Sequence, residues 1–237
     1  MKTLTRPSGI LFDLGDTLLR TVSFDLESGV RRLLALTDQG KAADYDEIRR
    51  IGDLLGKSSE QVRLEYNYEV SFEVFHRNLY DRLGLTCSLG WVDLEKEFFV
   101  HSLVVECFEG LANTLSFLQT KGIKMGVVSN SSNNGETLMW LLRENGVSHY
   151  FDFLISSADY GFRKPHPEIF ETAIARLGLP REDVWFIGDK LEADVIGAQG
   201  VGLTAIWFNV DNKPSTEITP DLMVKSWAEF EHIIDQL

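Results

Sequence analysis

The feature that most constrains this chain is an alternation between short apolar runs and amphipathic segments of helical length. The runs are Ile10-Leu11-Phe12, Met125-Gly126-Val127-Val128, Phe153-Leu154-Ile155, Val184-Trp185-Phe186-Ile187 and Thr204-Ala205-Ile206-Trp207-Phe208, with a weaker one at Leu222-Met223-Val224. Runs this short and continuously apolar suit strands covered on both faces. Between them lie segments of helical periodicity at about Leu111 to Gln119, Glu136 to Glu144, Pro167 to Leu177 and Glu192 to Gln199. Such alternation predicts an α/β fold, a Rossmann-like parallel sheet core with helices on both faces. Ser226 followed by Glu229 gives the last helix its own start, in the spacing of a capping box.

Residues from about 20 to 105 interrupt the pattern. They are rich in helix formers, lack a buried-strand run, and space Val62, Tyr66, Val70, Phe72, Phe75 and Leu79 periodically. Ser58-Ser59-Glu60-Gln61 has the pattern of a helix start. The expectation is an inserted helical cap domain over residues 20–105, with a core domain built from residues 1–19 and 106–237.

Charge and cysteine usage narrow the partners. A net charge of -13 argues against a broad nucleic-acid or anionic-membrane surface. The apolar stretch between Met1 and Asp13 is too short for a signal-peptide core, and no run approaches a membrane span. Cys87 and Cys107 fall in no metal-like or redox-like spacing and read as reduced thiols of a cytoplasmic protein. The acidic balance also repels phosphate, so a phosphate site here needs concentrated local positive charge.

Three strand runs end in a polar residue at the same sheet edge: Asp13, Ser129 and Asp189. Ligands of open parallel sheets sit at the carboxyl ends of strands. One such residue would ordinarily cap a helix or begin a turn. Three together, with Lys164, point to a site. Lys164 precedes a helix that starts at Pro167, and a lysine at the positive end of a helix dipole is better explained by an anion such as phosphate. Asp189 and Asp194 lie five apart, so a shared role requires the backbone to curl before the helix begins. Oxygen-rich sites with few protein ligands suit Mg²⁺.

Taken together, Phe12-Asp13-Leu14-Gly15-Asp16-Thr17-Leu18, Val127-Val128-Ser129-Asn130, Arg163-Lys164-Pro165-His166-Pro167-Glu168-Ile169-Phe170 and Gly188-Asp189 through Asp194 resemble the four ordered motifs of the haloacid dehalogenase superfamily. The position of the insertion resembles the helical-cap subclass. The resemblance implies that Asp13 is the nucleophile and a metal ligand, and that Ser129 with Asn130 holds a phosphoryl oxygen. Lys164 would neutralise charge, and Asp189, Asp194 and the Gly15 carbonyl would complete a Mg²⁺ site. The implied substrate is a small phosphorylated molecule, with no nucleic-acid or membrane partner. A homodimer contact through exposed aromatics of the insertion is a further expectation.

One motif departs from the pattern. Phosphatases of that superfamily usually carry an acid/base Asp two residues after the nucleophile, followed by Gly; here Gly15 and Asp16 stand in inverted order. A positioned acid or base contributes about 10² to 10⁴ in rate, so the change should matter. Four readings stay open: a phosphatase in which Asp16, a cap residue or water replaces the acid; an enzyme for good leaving groups such as acyl phosphates; a non-catalytic binding module; or a dehalogenase-like or phosphonate-cleaving relative. The superfamily's dehalogenases work without a metal, which the acidic segment Asp189 to Asp194 weighs against. Phosphonate cleavage would call on a cap lysine, and nothing singles out Lys41, Lys57 or Lys96.

Overall fold

The structure, a computed structural model, describes residues 4–39, 44–214 and 217–237; Lys41 and the first three residues lie outside them. Strand β1 (Gly9–Phe12) is followed by β2 (Leu19–Phe24), which pairs antiparallel with β3 (Leu103–Cys107). Among the described residues four helices fill the interval: α1 (Leu26–Ala35), α2 (Tyr45–Tyr66), α3 (Phe72–Leu83) and α4 (Trp91–Ser102). After β3 the chain alternates: α5 (Leu111–Thr120), β4 (Lys124–Ser129), α6 (Gly135–Glu144), β5 (Phe153–Ser156), α7 (Ser157–Tyr160), α8 (Pro167–Leu177), β6 (Val184–Gly188), α9 (Gly197–Gly200), β7 (Thr204–Phe208), β8 (Leu222–Val224) and α10 (Trp227–Asp235).

The six-stranded sheet runs β5-β4-β1-β6-β7-β8 with every pair parallel, which is the α/β architecture expected from the apolar runs. Alternate residues of β1 feed opposite faces. Ile10 and Phe12 pack with Leu111, Leu115, Trp227 and Phe230, whereas Leu11 packs with Ile169, Phe170 and Ala173. Both faces are therefore core, and the central strands carry no polar alternation. The register sets Phe12 beside Val127 and Ile187, so the residues that follow β1 and β6 emerge together at one edge.

The interval between β2 and β3 differs from the sequence expectation in two respects. It is flanked by a strand pair that no buried run announced, because five of the six β2 side chains face solvent. Ser58-Ser59-Glu60-Gln61 lies inside α2 rather than at a helix start. The Ser58 and Ser59 hydroxyls donate back to the Leu54 and Leu55 carbonyls at 3.2 and 2.8 Å, which occupies them without ending the helix. Helix α2 instead begins at Asp44, whose carboxylate accepts from the Asp46 and Glu47 N–H groups, and ends at Asn67 with φ 53°.

The inserted helices hold apolar clusters of their own, one including Ile48, Leu79 and Leu85 and another including Leu33, Phe72 and Leu94. They also touch the sheet region directly. Tyr68 forms an antiparallel bridge with Phe162, the Glu69 N–H donates to the Gly161 carbonyl at 2.7 Å, and the Phe72 N–H to the Ser132 carbonyl at 2.6 Å. Among the described residues no helix is long and apolar enough to cross a membrane.

Candidate active site

The carboxyl ends of β1, β4 and β6 bring Asp13, Ser129 and Asp189 to the wall of one cavity of about 480 Å³, with Gly15, Asp16, Asn130, Lys164 and Asp194 also lining it. Asp13 follows β1 and is held by its N–H, which donates to the Ile187 carbonyl at 2.9 Å. Lys164 reaches it from the loop before α8. Its ammonium, almost wholly buried, lies 2.6 Å from Asp13 Oδ1, 2.8 Å from Asp194 Oδ1 and 2.9 Å from the Val128 carbonyl. Burial alone would lower the lysine, yet the two carboxylates hold it above its ordinary value. The ammonium thus stays charged inside an acidic protein, shared between two carboxylates.

Burial pushes Asp13 up to about 6, against Lys164 and the Thr17 hydroxyl, which donates to Oδ2 at 3.1 Å. The neighbouring Asp194 carboxylate adds to the rise. Asp189 is also raised, again by burial first, while Lys190 beside its Oδ2 at 2.6 Å opposes the shift. Three carboxylates that each lose solvent at one place favour a cation among them.

The curl required between Asp189 and Asp194 is a π turn over Leu191–Ile196, followed by α9. Its wider turn replaces the regular helix expected from Glu192 and returns Asp194 toward the strand end. Asp194 Oδ2 accepts from the Lys190 N–H at 2.9 Å, and a Cβ at Gly188 would stand 2.3 Å from that oxygen. Only glycine fits at 188 for that reason. Ligand oxygens of Asp13, Asp189 and Asp194 all lie within 4.8 Å of one another. Asp189 Oδ1 is buried with no hydrogen-bond partner among the described residues, an orphan acceptor of the kind a divalent cation satisfies. The donor set therefore fits Mg²⁺.

The inverted pair has a backbone explanation. Asp16 has φ 58°, whereas Gly15 does not, and a Cβ added at Gly15 would meet nothing within 4 Å. The left-handed position that glycine tolerates best is therefore occupied by Asp16. Asp16 is exposed, with its carboxylate 3.9 Å from Lys190 Nζ. Asn130 uses its side chain on the lysine loop: Oδ1 accepts from the Lys164 N–H at 2.7 Å and Nδ2 donates to the Lys164 carbonyl at 2.8 Å. That amide positions the lysine.

Sequence reasoning passed over several residues here. Lys190 and Lys213 approach Asp189 at 2.6 and 3.6 Å, and Thr17 bonds Asp13. Two carboxylate side chains of the insertion, Glu69 between α2 and α3 and Glu95 on α4, are buried against the sheet region. Glu69 pairs with Arg163, the residue before Lys164, and accepts from Ser157 at 2.8 Å. Glu95 accepts from Asn133 Nδ2 at 2.9 Å, the Asn134 N–H at 3.1 Å, Thr137 Oγ1 at 2.8 Å and the Asn134 amide. A glutamate in a helix-forming stretch gives no sequence signal of such a partner. Of the insertion's lysines, Lys96 pairs with Glu136 at 2.7 Å and Lys57 lines a separate cavity.

A parallel sheet of this order carries three carboxylates and a buried lysine together at its strand ends. The model of the haloacid dehalogenase-like hydrolases matches residues 7–202, and the chain belongs to that family. Among curated relatives, the chain is 28% identical over 204 residues to a glyceraldehyde 3-phosphate phosphatase of Methanothermobacter thermautotrophicus, covering 84% of each chain. The solved structure of the putative HAD-hydrolase YfnB from Bacillus subtilis, bound to magnesium, superposes with TM-score 0.61 at 26% identity over 98% of this chain and all of that one. A 2-haloacid dehalogenase of Pseudomonas syringae shares the fold with TM-score 0.69 at 20% identity, covering 97% of this chain and 99% of that one.

Proposed function

We propose that this chain is a Mg²⁺-dependent phosphatase that hydrolyses a small phosphorylated molecule through an aspartyl phosphate on Asp13. The observation that carries the reading is Lys164, buried between Asp13 and Asp194 beside the orphaned Asp189 oxygen. The phosphatase and the magnesium-bound hydrolase among the relatives support it.

Asp13, Asp189, Asp194 and the Gly15 carbonyl would hold Mg²⁺, which supplies charge neutralisation at the phosphoryl oxygens and keeps Asp13 ionised. Asp13 Oδ attacks phosphorus, the bond to the leaving oxygen breaks, and water later releases phosphate from the carboxylate. Lys164 offsets negative charge on the nucleophile and the transferring group, and Ser129 donates to a phosphoryl oxygen. Asn130 keeps the lysine loop in place through both its amide atoms. The inserted helices act as a cap that excludes water from the cavity.

Gly15 leaves no acid/base side chain at the leaving group, so acyl phosphates and other good leaving groups react fastest. Asp16, exposed at the cavity wall beside Lys190, is the side chain best placed to relay a proton. Release of phosphate from acetyl phosphate tests the reading: activity with Mg²⁺ that chelator abolishes supports it. Activity indifferent to chelator would overturn it.

A further inference from the structure

A second cavity, about 760 Å³, opens inside the inserted helices and does not belong to the strand-end site. Its lining is mainly apolar and aromatic, including Leu33, Ile48, Phe72, Phe75, Leu79 and Phe98. The charged residues Glu27, Arg49, Asp53 and Lys57 on its wall are exposed, and Arg63 is half-buried. Tyr80 lines it with a buried hydroxyl that has no hydrogen-bond partner among the described residues. Burial raises that phenol above its ordinary value, so it stays a neutral donor.

Two observations connect this space to a ligand. Phe99 and Asn133 line both cavities, so the apolar space adjoins the strand-end site at a shared wall. Gly52 and Gly56, one helical turn apart inside α2, also line it, and a Cβ at either would meet nothing within 4 Å. Glycine inside a helix costs about 1 kcal/mol relative to alanine, and close packing usually accounts for it. Gly29 on α1 illustrates that case, since its Cβ would stand 2.5 Å from the Phe98 ring. At 52 and 56 no neighbour demands glycine. What the two glycines provide is volume.

We infer that the cavity takes the leaving group of the substrate, and that this group is a bulky apolar alcohol esterified to phosphate. The inference rests on the phosphatase reading. Hydrolysis then breaks the P–O bond to that alcohol, whose oxygen takes a proton relayed through Asp16, since Gly15 offers none. Water supplies the oxygen of the released phosphate and the proton that Asp16 passes on. The alcohol's apolar body passes Phe99 into the helical cavity, where desolvation of its methylenes or ring provides the affinity. The Tyr80 hydroxyl offers one donor to a polar atom along it.

The test compares octyl phosphate with ethyl phosphate, whose leaving oxygens are chemically alike, and uses acetyl phosphate to report the strand-end machinery. Octyl phosphate should exceed ethyl phosphate in kcat/KM by at least roughly 100-fold, given about 0.8 kcal/mol per buried methylene. Gly56→Leu fills the space with a better helix former. It should lower the octyl-to-ethyl ratio about ten-fold or more, with Tm equal or raised, and Gly56→Ala should lower it less. Turnover of acetyl phosphate with no octyl preference would overturn this inference and leave the phosphatase reading intact. Failure on acetyl phosphate would instead strike the phosphatase reading. Calorimetric binding of octyl phosphate against ethyl phosphate then decides the cavity independently, since equal affinity overturns it and a large octyl preference upholds it.

Discussion

Asp13 and Glu95 are both buried carboxylates whose protonation is favoured by loss of water, yet they are compensated in opposite ways. Asp13 faces an ammonium, Lys164, which also serves Asp194. Glu95 faces only neutral donors at the start of α6, from Asn133, Asn134 and Thr137. The strand-end site thus compensates two buried carboxylates with one buried ammonium. At Glu95 the contact between inserted helices and sheet is held by hydrogen bonds from neutral groups, alongside the ion pairs Glu69–Arg163 and Lys96–Glu136. The two carboxylates therefore rest on different electrostatics, and they should respond to different perturbations.

The largest effect should come from unbalancing the first cluster. Lys164→Met leaves Asp13 and Asp194 buried without their cation, so metal-free stability should fall by about 3–5 kcal/mol in urea denaturation. From sequence alone the lysine reads as serving an anion; its burial gives it a second task in holding the fold. Activity on acetyl phosphate should drop at least about 100-fold in the same variant. A loss of stability under 1 kcal/mol would break the contrast between the two carboxylates.

The next effect concerns leaving groups. Gly15→Asp with Asp16→Gly places a carboxylate where a Cβ finds open space and returns glycine to the φ 58° position. Rates on esters with poor leaving groups should rise about ten-fold or more, and acetyl phosphate much less. Thermal stability should hold or rise, because the left-handed residue becomes glycine. A stable double variant without this dependence on leaving group would mean that another side chain, with Asp16 removed, already acts as the acid.

The smallest effect tests Glu95. Burial lifts its carboxyl from 4.5 to about 7, against the donors around it. Between those values the folded protein holds a proton that the unfolded chain has released, so stability falls as pH rises through the window. Below it the contribution is constant, and above it the cost of the buried charge is fully present. Relative to Glu95→Gln, wild-type Tm should fall by about 5 °C from pH 5 to pH 8. A flat difference would show that four donors and the α6 N-terminus hold Glu95 ionised throughout.

The sheet was legible because β1, β4, β6 and β7 are covered on both sides, and such burial writes itself into continuous apolar runs. The strand-end residues were legible for the same reason, since Asp13, Ser129 and Asp189 each terminate a run. β2 and β3 left no such record, because a two-stranded ribbon buries few side chains. The π turn was foreseen only as a necessity: Asp189 and Asp194 needed a curl, and its form depends on the Asp194 contact with the Lys190 N–H. The partners of Glu69 and Glu95 were illegible because Arg163 and Asn133 lie 94 and 38 residues away. Asp16's left-handed backbone was equally hidden, although the inverted order of glycine and aspartate marked where to look.

The most direct measurement is a rapid acid quench of the enzyme with radiolabelled acetyl phosphate and Mg²⁺. On the proposed mechanism, the lack of an acid/base side chain at position 15 should slow water attack on the aspartyl phosphate, so the intermediate should accumulate. The expected result is protein-bound label that hydroxylamine releases, present in the wild type and absent with chelator or in Asp13→Asn. Label or turnover that survives Asp13→Asn would contradict the assignment of Asp13 as nucleophile.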